Sequence, residues 1–126
     1  MAIDGIIFDL DGTLIDTFDT QLKSWREAFE KVGSALDTDK FASNFGKSYK
    51  DFTFSIDPSL TNLDINEVIK TNKKLMQERS SEYSLFPESK KILETLNEKR
   101  ITCMIASSNP RHVSESLLKQ FQIDHL

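Results

Sequence analysis

The sequence predicts an α/β protein with a parallel-sheet core that is interrupted by a helical insertion. Two short apolar runs, residues 3–8 and 101–106, are each followed by polar residues, which is typical of buried strands in a parallel sheet. Helical periodicity fills most of the chain between them. Because this intervening stretch is much longer than a simple crossover connection, we expect it to form a subdomain of its own.

The composition fits a globular protein and argues against several functional classes. The chain has 126 residues, of which 38% are apolar and 29% are charged. The net charge of −4 argues against nucleic-acid binding, and no apolar run reaches the roughly 20 residues that a membrane span needs. A single cysteine, Cys103, excludes an internal disulfide framework and fits a reducing compartment. We therefore expect a cytoplasmic protein with neither a nucleic-acid nor a membrane partner.

The first strand is predicted at residues 3–8, IDGIIF, and the first helix begins near Asp16. From Phe18 to Val32, apolar residues recur at spacings of four and three and so share one helix face. Asp16 is expected to be the N-cap of this helix, and Gly33 is expected to end it.

The middle of the chain is predicted to be helical. Residues 34–64 are expected to form short helices around a turn at Gly46. A longer helix is predicted from about Ile65 to Tyr83, with Asp64 and Glu67 spaced as a capping box.

The last third of the chain returns to an alternating pattern of helix and strand. Apolar residues after Pro87 predict a helix, and residues 101–106, ITCMIA, predict the second strand. Asn109 as N-cap and Pro110 at the first helical position then predict the start of the last helix.

Acidic and polar residues follow both predicted strands. Asp9 and Asp11 come directly after the first strand, and Ser107, Ser108 and Asn109 come after the second. Because ligands bind beyond the carboxyl ends of parallel strands, we expect the two groups to lie together. Two neighbouring carboxylates repel each other, and Mg²⁺ accepts one or two carboxylates together with phosphate oxygens and water. The pattern thus predicts a site for a phosphate group and a hard cation.

The residues of this site resemble a known family. DLDGTLID, residues 9–16, resembles the first motif of the haloacid dehalogenase superfamily, and the spacing from ITCMIA to Ser107 resembles its second motif. Residues 16–33 look like the first helix of the helical cap in the phosphoglycolate phosphatase and β-phosphoglucomutase branch, and residues 86–109 look like the return from cap to core. The resemblance implies a Rossmann-like core at residues 1–15 and 87–126 and an all-helical cap at residues 16–86.

The resemblance also implies a role for each matched residue. Asp9 would be the nucleophile that forms an aspartyl-phosphate, and Asp11 the general acid and base. Both would also hold Mg²⁺, Asp9 through its carboxylate and Asp11 through its backbone carbonyl. The phosphoryl group would be bound by residues of both motifs: Gly12, Thr13, Ser107, Ser108 and Asn109. Lys47 falls where related enzymes carry a cap loop that closes over the site, so it is expected to contact the substrate.

The third and fourth motifs of the superfamily are absent from this sequence. A basic residue should follow the helix after the second strand, and an acidic pair should follow another strand, but the sequence ends at Leu126. We expect the chain to be the N-terminal part of a longer protein. As given, residues 3–8 would expose an unpaired apolar edge, which favours self-association with another copy of the chain.

The function implied by the resemblance is a Mg²⁺-dependent phosphatase that acts on a small phosphorylated metabolite. A phosphomutase of the same superfamily is the near alternative, whereas a dehalogenase is disfavoured because Asp11 occupies the acid/base position. An inactive fragment or binding module remains open because two motifs are absent, and the 126-residue chain alone is expected to be poorly active. A phospho-acceptor receiver domain also uses a strand-end aspartate, but the long helical insertion argues against it. The sequence does not identify the substrate.

Overall fold

The chain divides into two compact units. A computed structural model describes residues 2–126. Residues 2–17 and 83–126 form the first, here called the sheet unit, and residues 18–82 form the second, here called the helical unit. Residues 16–17 and 83–86 were predicted to be part of the cap, but they belong to the sheet unit.

Strands and helices follow one another in an order that confirms the α/β class. The elements are β1 (Gly5–Phe8), β2 (Ile15–Asp16), α1 (Phe18–Glu30), α2 (Thr38–Asn44), α3 (Tyr49–Ile56), α4 (Asn62–Glu78), β3 (Ser84–Leu85), α5 (Ser89–Glu98), β4 (Thr102–Ile105) and α6 (Arg111–Gln120), with a 3₁₀ turn at Ser80–Glu82. No helix within residues 2–126 combines the length and the apolar character that a membrane crossing requires.

The two predicted strands lie side by side in the sheet unit. β1 and β4 pair in parallel, with Ile7 opposite Met104 and Phe8 opposite Ile105. Both apolar runs were expected to be buried strands, but Ile7 is 68% exposed and Met104 is 59% exposed, so this expectation was wrong. In the part of the chain that the structure describes, the sheet has two strands, and their residues alternate between half-buried and exposed. One face of the sheet is therefore apolar and open to solvent.

A second, shorter pair of strands joins the two segments through which the chain leaves and re-enters the sheet unit. β2 and β3 are antiparallel, with Ile15 opposite Leu85 and Asp16 opposite Ser84. Asp16 was predicted to be the N-cap of α1, but it lies within β2, and the helix begins at Phe18. A ladder of two residues has no periodicity from which it could have been predicted.

The end of α1 is fixed by a glycine turn, as predicted. Gly33 has a φ of 76°, in the left-handed region that side chains other than glycine disfavour. The amide of Ser34 donates to the carbonyl of Phe29 at 3.0 Å, and the amide of Gly33 donates to that of Glu30 at 3.0 Å. These two bonds form a Schellman motif, which satisfies carbonyls that the helix end would otherwise leave unpaired.

The longest helix, α4, begins with a different capping box from the predicted one. It starts at Asn62, and Thr61 is its N-cap. The Thr61 hydroxyl accepts from the amide of Asp64 at 3.1 Å, and the Asp64 carboxylate accepts from the amide of Thr61 at 3.4 Å. The pairing of Asp64 with Glu67 was wrong because Asp64 is the third helical residue rather than the cap.

Aromatic side chains fill the core of the helical unit. Phe52 of α3 is 3% exposed, and its ring centroid lies 4.6 Å from that of Trp25 and 5.8 Å from that of Phe41. The other buried members of this cluster come from α1, α4 and the segment before α2: Ala28, Phe29, Leu36 and Val68, together with Ile56 of α3. The apolar stripe predicted for α1 is thus packed against the other helices of its own unit.

This packing leads to a prediction about two phenylalanines of the same helix. We expect Phe52→Ala to lower the free energy of unfolding by about 3–5 kcal/mol, because it leaves a cavity among packed rings. Phe54 of α3 is 57% exposed, so Phe54→Ala should change it by less than about 0.5 kcal/mol. Urea unfolding of both variants measures the difference. Equal losses would show that Phe52 does not occupy the core.

Candidate active site

A tight turn follows β1 and carries the acidic motif. The carbonyl of Leu10 accepts three backbone amides, those of Thr13 at 3.3 Å, Leu14 at 3.0 Å and Ile15 at 3.1 Å. Gly12, with a φ of 78°, reverses the chain and donates its amide to the carbonyl of Ile15 at 2.9 Å. Leu10, Leu14 and Ile15 are buried, whereas Gly12 and Thr13 are exposed. The apolar residues therefore anchor the turn, and its polar residues face solvent.

The two aspartates of the motif differ in their surroundings. Asp9 is exposed, and its Oδ1 accepts the amide of Leu10 at 2.8 Å. Asp11 is half-buried, and its two carboxylate oxygens accept from two different segments. Its Oδ2 accepts from Nδ2 of Asn109 at 2.7 Å, and its Oδ1 accepts from Oγ1 of Thr17 at 3.3 Å. Asp9 is thus open to a ligand, whereas Asp11 is held in place.

Burial raises the pKa of the Asp11 carboxyl above its ordinary value. The hydrogen bonds from Asn109 and Thr17 lower the pKa, and the negative charge of Asp9 raises it, but burial is the largest cause. A carboxyl group with a raised pKa keeps its proton more readily, which suits a group that must donate a proton to a leaving oxygen.

The loop after β4 supplies the second half of the site. Oγ of Ser107 accepts the backbone amide of Asn109 at 3.1 Å, and Ser108 is exposed. Asn109 was predicted to be the N-cap of α6, but Pro110 occupies that position, with no capping bond from a side chain. The reason is that the side chain of Asn109 binds Asp11 instead. This bond links the loop after β4 to the turn after β1.

Comparison with known proteins decides the family. A family model described as haloacid dehalogenase-like hydrolase matches residues 6–126. The chain belongs to the haloacid dehalogenase-like hydrolase family.

The similarity to known proteins extends over almost the whole of this chain. The PpaX protein of Clostridium perfringens, named as a candidate pyrophosphatase, is 29% identical over 114 residues, which are 90% of this chain and 52% of that protein. The crystal structure of a candidate phosphatase from Clostridium difficile is 25% identical, with a TM-score of 0.80 over 99% of this chain and 58% of that one. A crystal structure from Lactobacillus plantarum, named as a candidate phosphoglycolate phosphatase, has a TM-score of 0.86 at 17% identity, over 98% of this chain and 58% of that one. At this identity it supports the fold alone. The chain spans between half and three fifths of the length of these relatives.

The remaining site residue predicted from the family, Lys47, lies in the helical unit. It is exposed in the turn between α2 and α3, and its Nζ donates to Oγ of Ser55 at 3.2 Å. Its role toward a substrate stays a prediction.

One contact in the site was not predicted from the sequence. Thr17 is buried and donates to Asp11 from a position six residues further along the chain. The prediction of Asp16 as the N-cap obscured this contact, because it placed Thr17 in the first turn of the helix.

The oxygen atoms of Asp9 and Asp11 are of the kind that binds a hard divalent cation. Within residues 2–126, no group of three or more histidine, cysteine, aspartate or glutamate side chains is arranged to hold a metal. Mg²⁺ does not need such a group, since it retains several waters and binds one or two carboxylates plus phosphate oxygens. The backbone bonds of the turn end on the carbonyls of Leu10 and Ile15, which keeps the carbonyl oxygen of Asp11 available to a cation.

Proposed function

We propose that this protein is a Mg²⁺-dependent phosphatase that hydrolyses a small phosphorylated metabolite through an aspartyl-phosphate. The observation that carries the proposal is the pair of aspartates at the end of β1, one exposed and one hydrogen-bonded to the loop after β4. Membership of the hydrolase family and the names of the similar proteins support hydrolysis of a phosphate ester or anhydride.

Asp9 would supply the nucleophile. Its exposed carboxylate attacks phosphorus, so that a bond forms between a carboxylate oxygen and phosphorus while the bond between phosphorus and the leaving oxygen breaks. The bond from the Leu10 amide to Oδ1 limits rotation of this side chain. It therefore favours one orientation of the other oxygen, Oδ2, toward the substrate.

Asp11 would move the protons. It donates a proton to the leaving oxygen in the first step and accepts one from the attacking water in the second. Its bonds to Asn109 and Thr17 hold the carboxyl in one position for both steps.

The exposed polar groups around the aspartates would bind the phosphoryl group and a cation. The amides of Gly12 and Thr13 already donate within the turn, so the donors that we assign to phosphate oxygens are the hydroxyls of Thr13 and Ser107 and the amide of Ser108. Gly12 would contribute by letting the backbone approach the phosphate closely. The carboxylate of Asp9 and the backbone carbonyl of Asp11 would hold Mg²⁺, which would offset the negative charge of the carboxylates and the phosphate.

The proposal is tested by following phosphate release and the covalent intermediate together. We expect an intact version of the protein, with its third and fourth motifs, to release phosphate from some members of a panel of small phosphomonoesters in the presence of Mg²⁺. Acid quenching during turnover should trap a phosphorylated protein that hydroxylamine cleaves and that Asp9→Asn does not form. Phosphate release without a label at Asp9 would contradict the covalent mechanism. Absence of release from every monoester would contradict the phosphatase assignment.

Lys47 is expected to contribute to the choice of substrate rather than to the chemical step. We expect Lys47→Ala to lower kcat/KM for the best metabolite of the panel by at least roughly tenfold, the worth of one hydrogen bond to a charged group. The loss on a small aryl phosphate should be several times smaller, because that substrate lacks the part that Lys47 would contact. Lys50→Ala, which removes an exposed lysine of α3, is the matched control and should change neither rate. Equal losses on both substrates would refute a role in substrate choice.

A further inference from the structure

We infer that Asn109 is a positioning residue for the carboxyl of Asp11 and not a ligand of the transferring phosphoryl group. This inference rests on the proposed function, because it concerns the acid and base of that reaction. It also revises the assignment of Asn109 to phosphate binding that the family resemblance implies.

The contact itself is the first argument. Nδ2 of Asn109 lies 2.7 Å from Oδ2 of Asp11, which is within the range of hydrogen bonds to a charged acceptor. The second donor to this carboxylate, Oγ1 of Thr17, is more distant at 3.3 Å. Asn109 therefore makes the stronger of the two bonds, and it is the one that links the loop after β4 to the turn after β1.

The donors of Asn109 are the second argument. Its backbone amide is bonded to Oγ of Ser107 at 3.1 Å, and one hydrogen of its side-chain amide is directed at Asp11. The side-chain oxygen is an acceptor and would repel an anion. Two of its three N–H groups are thus already bonded within the protein, which leaves little capacity to bind a phosphate.

The backbone on both sides of Asn109 is the third argument. Ser107 holds its amide on one side, and Pro110, with a φ of −54°, restricts the chain on the other before α6 begins. The side chain therefore projects from a restrained turn. Such restraint is what a residue needs if it is to hold another group within a fraction of an ångström of one position.

If Asn109 positions the acid, the loss of kcat/KM on its removal should depend on the leaving group. A poor leaving group, such as an alkoxide, needs a proton from Asp11 as its bond to phosphorus breaks, whereas p-nitrophenolate leaves without one. We expect Asn109→Ala to lower kcat/KM for an alkyl phosphate by about 10²-fold, at the low end of the contribution of general acid catalysis. The loss on p-nitrophenyl phosphate should be several-fold at most. kcat/KM is the appropriate quantity because it reports phosphoryl transfer to Asp9 and excludes the later hydrolysis.

Three further measurements separate positioning from other roles. The inhibition constant of inorganic phosphate should change less than about twofold in Asn109→Ala, since phosphate contacts are retained. Asn109→Asp, which keeps the shape but removes the donor and adds a charge, should be at least as impaired on the alkyl phosphate as Asn109→Ala. Asn97→Ala, an exposed asparagine of α5, is the matched control and should behave as the wild type.

The results that overturn the inference are equally specific. Equal losses on both substrates, a phosphate inhibition constant that rises in parallel with the loss of rate, or full activity in Asn109→Asp would each refute it. A readout independent of activity is the side-chain amide signal of Asn109 in ¹⁵N NMR spectra, which Asp11→Ala should shift and Asp4→Ala should not. Unshifted signals would refute the contact. An inactive wild type would refute the proposed function, and the amide signals would then decide the contact by themselves.

Discussion

Replacing Asp9 by asparagine is expected to lower phosphate release by at least about 10⁴-fold, the scale of loss when a catalytic nucleophile is removed. The fold should persist, because the Asp9 side chain is exposed and an asparagine oxygen can still accept the Leu10 amide. Stability should rise slightly. The raised pKa of Asp11 means that its ionisation costs stability as the pH rises through that pKa, and the charge of Asp9 adds to this cost.

Initial rates and thermal unfolding of the two proteins at neutral pH measure both effects. Asp4→Asn is the matched control, since Asp4 is an exposed aspartate just before β1 and should affect neither quantity. Retention of near-normal turnover in Asp9→Asn would show that another group attacks phosphorus. A lower unfolding temperature would show that the carboxylate of Asp9 stabilises the turn instead of opposing the charge of Asp11.

Removing divalent cations is expected to abolish phosphate release just as completely, and adding Mg²⁺ back should restore it. Phosphoryl transfer depends mainly on charge stabilisation, and the phosphate and two carboxylates would otherwise bring several negative charges together. The assay compares rates in excess chelator and after titration with Mg²⁺, with Ca²⁺ as a cation of the same charge but of larger and looser coordination.

Binding of the cation should also be visible without turnover. Mg²⁺ should raise the unfolding temperature of the wild type and of Asp4→Asn, because a ligand that binds the folded state stabilises it, and should have a much smaller effect on Asp9→Ala. Undiminished turnover in chelator would contradict the metal-dependent mechanism. An equal thermal shift in Asp9→Ala would place the cation elsewhere.

The parts of the fold that rest on long periodic patterns were predictable from the sequence. The apolar stripe from Phe18 to Val32, the glycine turn at Gly33 and the two apolar runs around β1 and β4 each involve several residues that indicate the same structure. The parallel pairing of β1 and β4 followed from the polar residues after both runs.

The N-caps of α4 and α6 were not predictable, because in each case a side chain had two possible partners. Thr61 precedes Asp64 by three residues as Asp64 precedes Glu67, so both pairs fit the spacing of a capping box, and the structure has the first. Similarly, Asn109 could cap α6 or bind a distant residue. Which of these prevails depends on Asp11, which is 98 residues away, so local sequence could not decide it.

The solvent exposure of one face of the sheet also could not be predicted from the sequence pattern. Runs such as those around Ile7 and Met104 indicate a strand that is covered on both sides, but burial depends on which elements pack there. Solution measurements of the oligomeric state would test the separate expectation that the unpaired edge at residues 3–8 favours self-association.

The short ladder between β2 and β3 has a consequence for how proteins of this kind can diverge. The chain departs after Asp16 and returns at Ser84, and these two residues are opposite each other in the ladder. An insertion whose ends are already paired adds little closure entropy, about 0.6 kcal/mol for each doubling of its length. The helices between these points can therefore be lengthened, shortened or exchanged at small cost to the turn that holds Asp9 and Asp11. Evolution can in this way change the inserted segment while the catalytic chemistry stays the same.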